Sequence, residues 1–321
     1  MMRNKMTMRK AIFLIFMLLL TQMPVAAWDD TGHMVVASIA YNRLTPAARA
    51  KIDQLLIPPP PQPGVKYPDR GFVFFCERLY GPVTIACWMD DIRDSSLSWS
   101  YAEWHYINFN PVFIGIPADE RVGPAKENIL VRIKFALEEL GKRKDFAATT
   151  SRSDDRQSAE ALGYLYHLVG DVHQPLHCAT RYTAARPNGD SGGNGFPIAP
   201  PVAKGPDNLH AYWDAAAGLF NFVKVARPPT SRGTEPPAIK KLAAGIVAAY
   251  PAGVHAQQAR ELDPEQWVKE SNQLAREFAY VRLNEKDKPA GAYATEAKKI
   301  ATARLALAGY RLAEVLNRIY Q

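Results

Sequence analysis

Six histidines and three aspartates of this 321-residue chain fall in short groups whose spacing suits a divalent cation. His167, Asp171, His173 and His177 share the stretch HLVGDVHQPLH, and His210 and Asp214 share HAYWD. Asp90 and His105 bracket a Trp-rich segment, and His33 stands close to Trp28. Only His255 lies apart from such a grouping. On a helix, residues four apart lie on one face, one turn from each other. His167 with Asp171, and His210 with Asp214, are therefore two bidentate arms for a metal. An isolated pair of this kind usually caps a helix or decorates a surface. Two pairs, with further histidines and a further carboxylate, point to a multinuclear site. Imidazole and carboxylate without thiolate suit zinc in a hydrolytic centre. The three cysteines form no CxxC pair, which argues against a thiolate site. Pro175 must break a helix carrying Asp171, so the chain can bend His177 towards a neighbouring metal.

The first 27 residues are a different object. Arg3, Lys5, Arg9 and Lys10 form a basic start, residues 11–20 are the apolar run AIFLIFMLLL, and Val25, Ala26 and Ala27 end the segment. This is the three-part pattern of a secretory signal peptide. The apolar run is too short to span a bilayer. Residues 1–27 are thus expected to be a cleaved leader and residues 28–321 the working domain, secreted or periplasmic, beginning at Trp28. The leader holds four basic residues and no acidic ones, so its removal lowers the net charge from +7 to +3. That charge is too weak to argue for duplex DNA from electrostatics alone. An oxidising compartment permits a disulfide. Cys76 and Cys87 flank one short segment and are the better pair, leaving Cys178 over or as a small buried hydrophobe.

These residues need a scaffold, and the pattern predicts a helical one. Amphipathic helices are expected over 34–56, capped by Asp29, Asp30 or Thr31, and over 126–142, 157–170, 209–223, 239–250, 264–283 and 295–320. The run IPPPPQPG at 57–64 must end the first helix. Residues 182–207 are rich in Gly, Pro and Asn and read as loop. The best strand candidate is VKYPDRGFVFF at 65–75. A content of 47% hydrophobic residues supplies a large core. The expectation is one all-α domain with at most a small β element.

The stretches WDDTGH, WMDDIR, WHYIN, HLVGDVHQPLH, GDSGGN and NLHAYWD, with the C-terminal GYRLAEVLN, resemble the zinc-dependent single-strand nuclease family of fungi, plants and bacteria (nuclease S-one and P-one type, or type I nucleases). The motifs span nearly all of residues 28–321. The resemblance implies a helical domain of the zinc phospholipase C/P-one nuclease type holding three Zn2+. The first ion would take Asp90, His105, His167 and Asp171. The second would take His177, His210 and Asp214. The third would take the amino nitrogen and carbonyl oxygen of Trp28, with His33 and Asp171, so that Asp171 bridges. His173 matches no family ligand and reads as structural or as support for a ligand. Catalytic duty would fall on Asp90, Asp171 and Arg93, the last near the phosphate or else in a salt bridge with Asp91 or Asp94. Tyr106 matches the aromatic that stacks on a nucleobase. Asn108 stands where well-known members carry an aspartate that reads the base edge; both residues have an ordinary structural reading too. GDSGGN lacks the strand and lysine of a nucleotide loop and reads as a turn walling the site, with Asp190 and Asn194 supporting ligands.

The resemblance implies hydrolysis of single-stranded DNA and RNA to 5'-phosphate products, with 3'-nucleotides as further substrates. A multinuclear centre meets the charge problem, because it lowers the pKa of water and offsets an anionic phosphodiester. No stable protein partner and no membrane segment after processing are implied, and the protein is expected to be a monomer. Two alternatives stand beside this: a zinc phospholipase C acting on phospholipids, and a non-catalytic zinc-binding protein of the envelope, whose site would be filled by protein ligands.

The Trp28 ligand has a direct consequence. A free α-amine has a pKa of about 7.7–8.0 and can bind zinc, whereas an amide nitrogen is not basic. A mature protein with one verified extra residue before Trp28 should fold but lose one metal and most activity. Full activity in that protein would refute an amino-terminal ligand.

Overall fold

The computed structural model describes residues 28–56, 80–93, 101–144, 152–221, 223, 225 and 235–321. The chain is built from helices around one buried helix, α1 (Asp30–Tyr41), with all residues from Thr31 to Ala40 buried. Asp29 caps it by accepting from the Gly32 amide at 3.0 Å, as a short carboxylate at this position does. The single helix expected over 34–56 is two. α1 stops at Tyr41, and α2 (Pro46–Leu56) starts afresh. Proline has no amide to continue a ladder but fits a first turn, and the Thr45 hydroxyl caps that turn at Ala48.

Helix α3 (Trp88–Arg93) follows a 3-10 turn at Thr84–Cys87. A second 3-10 turn, Ala102–His105, leads to the strand β1 (Val112–Phe113). Helix α4 (Ile129–Lys142) begins at Asn128, whose side chain accepts from the Leu130 and Val131 amides. Helix α5 (Arg152–Val172) packs against α4 and α1. A 3-10 turn at Pro175–Cys178 then leads to β2 (Arg181–Tyr182), which pairs in parallel with β1, Val112 opposite Arg181. These four residues are the whole sheet among the described residues. The strand expected at 65–75 lies outside them.

Helix α6 (Leu209–Asp214) is much shorter than the expected 209–223. Ala216, Ala217 and Gly218 follow with φ of 47°, 51° and 86°. Left-handed backbone cannot extend a right-handed helix, and at each alanine it costs roughly 1–2 kcal/mol. Helices α7 (Pro237–Ala249), α8 (Ala256–Ala259) and α9 (Pro264–Leu274) follow, α9 running on through a π turn at Ala275–Ala279. The last helix, α10 (Gly291–Ile319), has 29 residues and lies along α1. The expected all-α domain with a small β element is therefore what the chain forms. Among the described residues no helix is long and apolar enough to cross a membrane.

The α1–α10 contact depends on a close approach at Gly309. A Cβ placed there would lie 2.5 Å from Ile39 Cγ2 and 3.1 Å from the Val36 carbonyl. Gly309→Ala should therefore destabilise the fold by about 1–3 kcal/mol through overpacking. A urea midpoint equal to wild type would show that the two helices are not in this contact.

Candidate metal centre

Each candidate ligand sits where an element ends or turns. His33 is in the first turn of α1, Asp90 in α3, and His105 closes the Ala102–His105 turn. His167 and Asp171 occupy the last turns of α5, His177 the 3-10 turn after it, and His210 and Asp214 one face of α6. All are buried, His33, His167, Asp171 and His177 completely. Three groups could each hold an ion: His33 with Asp90 and His167, His105 with His167 and Asp171, and His177 with His210 and Asp214. Within each, the ligand atoms lie within 4.8 Å of one another.

Asp171 is at the centre. Its Oδ1 lies 3.2 Å from His33 Nε2, while its Oδ2 lies 3.1 Å from His105 Nδ1 and 3.2 Å from His167 Nε2. The two oxygens of one carboxylate thus face two different sets of imidazoles. Asp90 Oδ1 is 3.9 Å from His167 Nε2. In the other group, His177 Nε2 and His210 Nε2 lie 3.8 Å and 3.4 Å from opposite oxygens of Asp214.

Backbone carbonyls set the rings. His167, His177 and His210 each present Nδ1 to a main-chain oxygen, of Ala86 at 2.7 Å, His105 at 2.6 Å and Gly192 at 2.7 Å. A carbonyl only accepts, so Nδ1 carries a proton and Nε2 is the ring atom that points inward, as a metal ligand requires. The Gly192 contact explains GDSGGN. Gly189, Gly192 and Gly193 all have positive φ, which glycine tolerates. Asp190 pins the loop by accepting from the Arg181 and Gly193 amides and the Tyr280 hydroxyl. Asn194 bonds Ser191 inside the loop; the support for His210 comes from Gly192 instead.

The donor set fits a cation. Asp171 Oδ1, His177 Nε2 and Asp214 Oδ2 are buried without a hydrogen-bond partner, a costly state for polar atoms. Among the described residues the ion-pair partners of Asp171 and Asp214 are histidines alone. Burial lowers His33 to about 4, helped by the charge of His167, with which it stacks at 3.8 Å between ring centres. Burial also lowers His105 and His177. Burial opposes charge on His167 too, but Asp171 and Asp90 more than reverse this, to about 9. A positive charge is therefore stabilised between these carboxylates. Burial disfavours the Asp171 anion, yet the histidines, His167 first, hold its carboxyl well below the usual range. Asp214 goes the other way: burial pushes it well up, and His210 only partly offsets this.

Trp28 is fully buried, and its indole donates to the Gly170 carbonyl at 2.8 Å. Gly170 has no side chain because a Cβ there would meet His33 Nδ1 at 2.8 Å and the Trp28 ring at 3.7 Å. Trp28 and His33 thus lie against the same turn of α5. Arg93 closes α3, one turn on from Asp90; its side chain falls outside the described residues. Tyr106 is half-buried, its phenol raised by burial, and its carbonyl receives the Ile129 amide that starts α4. Asn108 accepts from the Thr180 hydroxyl, the structural reading of that residue. His173 is in none of the groups. Its Nδ1 donates to the Val169 carbonyl, and its Nε2 accepts from Arg311. Cys178 is a buried free thiol, while Cys76 of the expected disulfide lies outside the described residues.

Gln174, whose amide reaches Asp214, and the glycines beside the rings escape a search for ligand types. Their position inside the histidine motifs is the signal that could have found them.

A family model described as S1/P1 Nuclease matches residues 28–321. The chain is similar to Endonuclease 2 of Arabidopsis thaliana, 25% identical over 327 residues covering 99% of this chain and 100% of that protein. Endonuclease 3 of the same plant is 24% identical, covering 96% and 95%. Endonuclease 4 is 30% identical over 165 residues, half of each chain.

The two carboxylates should behave differently when neutralised. Asp171 faces two sets of ligands and Asp214 one, so Asp171→Asn should release more bound metal and cost more activity than Asp214→Asn. Elemental analysis and kinetics on both variants measure this. Equal losses with full metal content would remove Asp171 from its bridging place.

Proposed function

The chain belongs to the S1/P1 nuclease family, and on that premise we propose an exported, three-zinc endonuclease that cuts single-stranded DNA and RNA to 5'-phosphate products and also removes 3'-phosphates from nucleotides. The observation that carries this reading is the division of Asp171 between His33 on one oxygen and His105 with His167 on the other. One carboxylate used twice is how a compact site holds adjacent cations. The third group, His177, His210 and Asp214, lies on the next turn of the chain and α6. The nine candidate ligands, Trp28 included, come from one polypeptide, which supports a monomer needing no partner subunit. The family match favours the nuclease over a phospholipase.

When bound, the zinc ions supply Lewis acidity to water and to phosphoryl oxygens. The protein's part is to fix geometry and shed bulk solvent. Buried carboxylates supply the negative charge that would hold the cations, and the cations would in turn offset the anionic phosphate. Carbonyls orient His167, His177 and His210 so that Nε2 faces the site, and a cation bound there would take the place of the proton that Asp171 and Asp90 favour on His167. Arg93, on the same short helix as Asp90, is the proposed phosphate contact. Tyr106, half-buried beside His105, is the proposed stacking surface, and stacking accepts any base. Asn108 spends its side-chain oxygen on Thr180, so any contact with a base edge would come from its amide nitrogen. The basic and apolar start of residues 1–27 supports export.

An exposed base face is hidden by pairing in a duplex. Single strands should therefore be cut faster than duplex, and chelation should abolish both activities. Tyr106→Ala should weaken binding by about 1–3 kcal/mol per stacked base, seen as a raised KM for all four bases. Equal wild-type rates on single and double strands would defeat the stacking model.

A further inference from the structure

We propose that Gln174 is a positioning residue that sets which oxygen Asp214 offers to the His177–His210–Asp214 group. The inference rests on reading that group as a metal centre. Gln174 is completely buried, and both ends of its amide are used. Its Oε1 accepts from the Leu176 amide at 2.5 Å, and its Nε2 donates to Asp214 Oδ1 at 2.7 Å. The orientation is forced. A main-chain N–H only donates, so the amide oxygen must face Leu176 and the NH2 must face the carboxylate.

The consequence falls on Asp214. Its Oδ1 is engaged by Gln174 at 2.7 Å and lies 3.8 Å from His177 Nε2, while Oδ2 has no hydrogen-bond donor and lies 3.4 Å from His210 Nε2. The carboxylate is thereby turned to present one oxygen to a cation. Gln174 also ties segments together. Its own amide donates to the Asp171 carbonyl at 2.9 Å, and its carbonyl receives the His177 amide at 3.1 Å. One residue thus touches the turn after Asp171, the turn carrying His177 and the helix carrying Asp214. Partners that hydrogen-bond a ligating carboxylate typically change metal affinity by about 10–100-fold.

Two substitutions separate this role from simple capping of the 3-10 turn. Gln174→Glu keeps an oxygen for the Leu176 amide but offers Asp214 no donor when ionised. Gln174→Met removes both bonds at similar length. Full-length mature protein would be loaded with zinc and titrated with a chelator of known affinity at neutral pH, with circular dichroism as the check on folding. Asp214→Asn identifies which ion belongs to this group. Both Gln174 variants should weaken that same ion by about 10–100-fold and leave the others in place. Wild-type zinc affinity in both variants, a loss in Gln174→Met alone, or tighter binding in Gln174→Glu would overturn the proposal. If Asp214→Asn retains the full wild-type metal content, the metal-centre reading fails and the proposal with it. A crystal structure of the zinc-loaded wild type decides the matter even if both variants unfold. Asp214 on zinc through Oδ2, with Oδ1 on Gln174, is expected; a bidentate Asp214 or a Gln174 turned away would overturn it.

Discussion

A carboxylate buried between three imidazoles is the constraint around which the molecule is arranged. Asp171 is completely buried, its ion-pair partners among the described residues are histidines, and its charge is stabilised by His167, His33 and His105. Such a group is costly to bury unless it is paired. The pairing demands that α1, α5 and the segment ending at His105 meet at one point. Gly170 permits this by having no side chain between His33 and α5, and Trp28 closes the space beyond. The same gathering of carboxylate oxygens and imidazole nitrogens suits a cation, which both ligand types can coordinate.

The turn following Asp171 is held from the opposite side by the C-terminal helices. Arg304 donates to the His173 carbonyl, and Ser271 donates to the Val172 carbonyl. Arg311 reaches His173 Nε2 and forms a paired contact with Glu270. Arginine only donates and the Val169 carbonyl only accepts, so His173 is the neutral link between them. Burial opposes charge on Glu270, and Arg311 and Arg304 pull its carboxyl down. Glu270 is partly exposed but Arg311 is completely buried, so losing Glu270 would leave the arginine charge buried without its ion-pair partner. The length of α10 thus serves the site as well as the core: one helix packs α1 through Gly309 and fixes the ligand turn through Arg304 and Arg311.

Much of this was legible because ligand chemistry leaves strong local marks. His167 and Asp171 share a helix face by spacing, Pro175 forces the turn that brings His177 round, and the helix period shows in α4, α5, α7, α9 and α10. Other features left no mark. The apolar pattern runs on past residue 41, and only Pro46 hints that α1 and α2 are separate. Alanine is a good helix former, so nothing local announces left-handed Ala216 and Ala217. A sheet of two residues per strand is too short to show alternation. GDSGGN reads as a turn, but that Gly192 would orient His210 depends on where α6 lands.

Ligand types and helical class can be read along the chain, because they follow from side-chain chemistry and short-range periodicity, and the family likeness follows from contiguous motifs such as HLVGDVHQPLH. Tertiary structure decided how the ligands divide. It gave each oxygen of Asp171 its own imidazoles, turned three histidines by carbonyls more than fifteen residues away, and sent His173 to Arg311 instead of to the cluster. Those outcomes rest on contacts between segments distant along the chain. No local pattern encodes which atom of a ring or carboxylate will face which neighbour, and packing alone makes that choice.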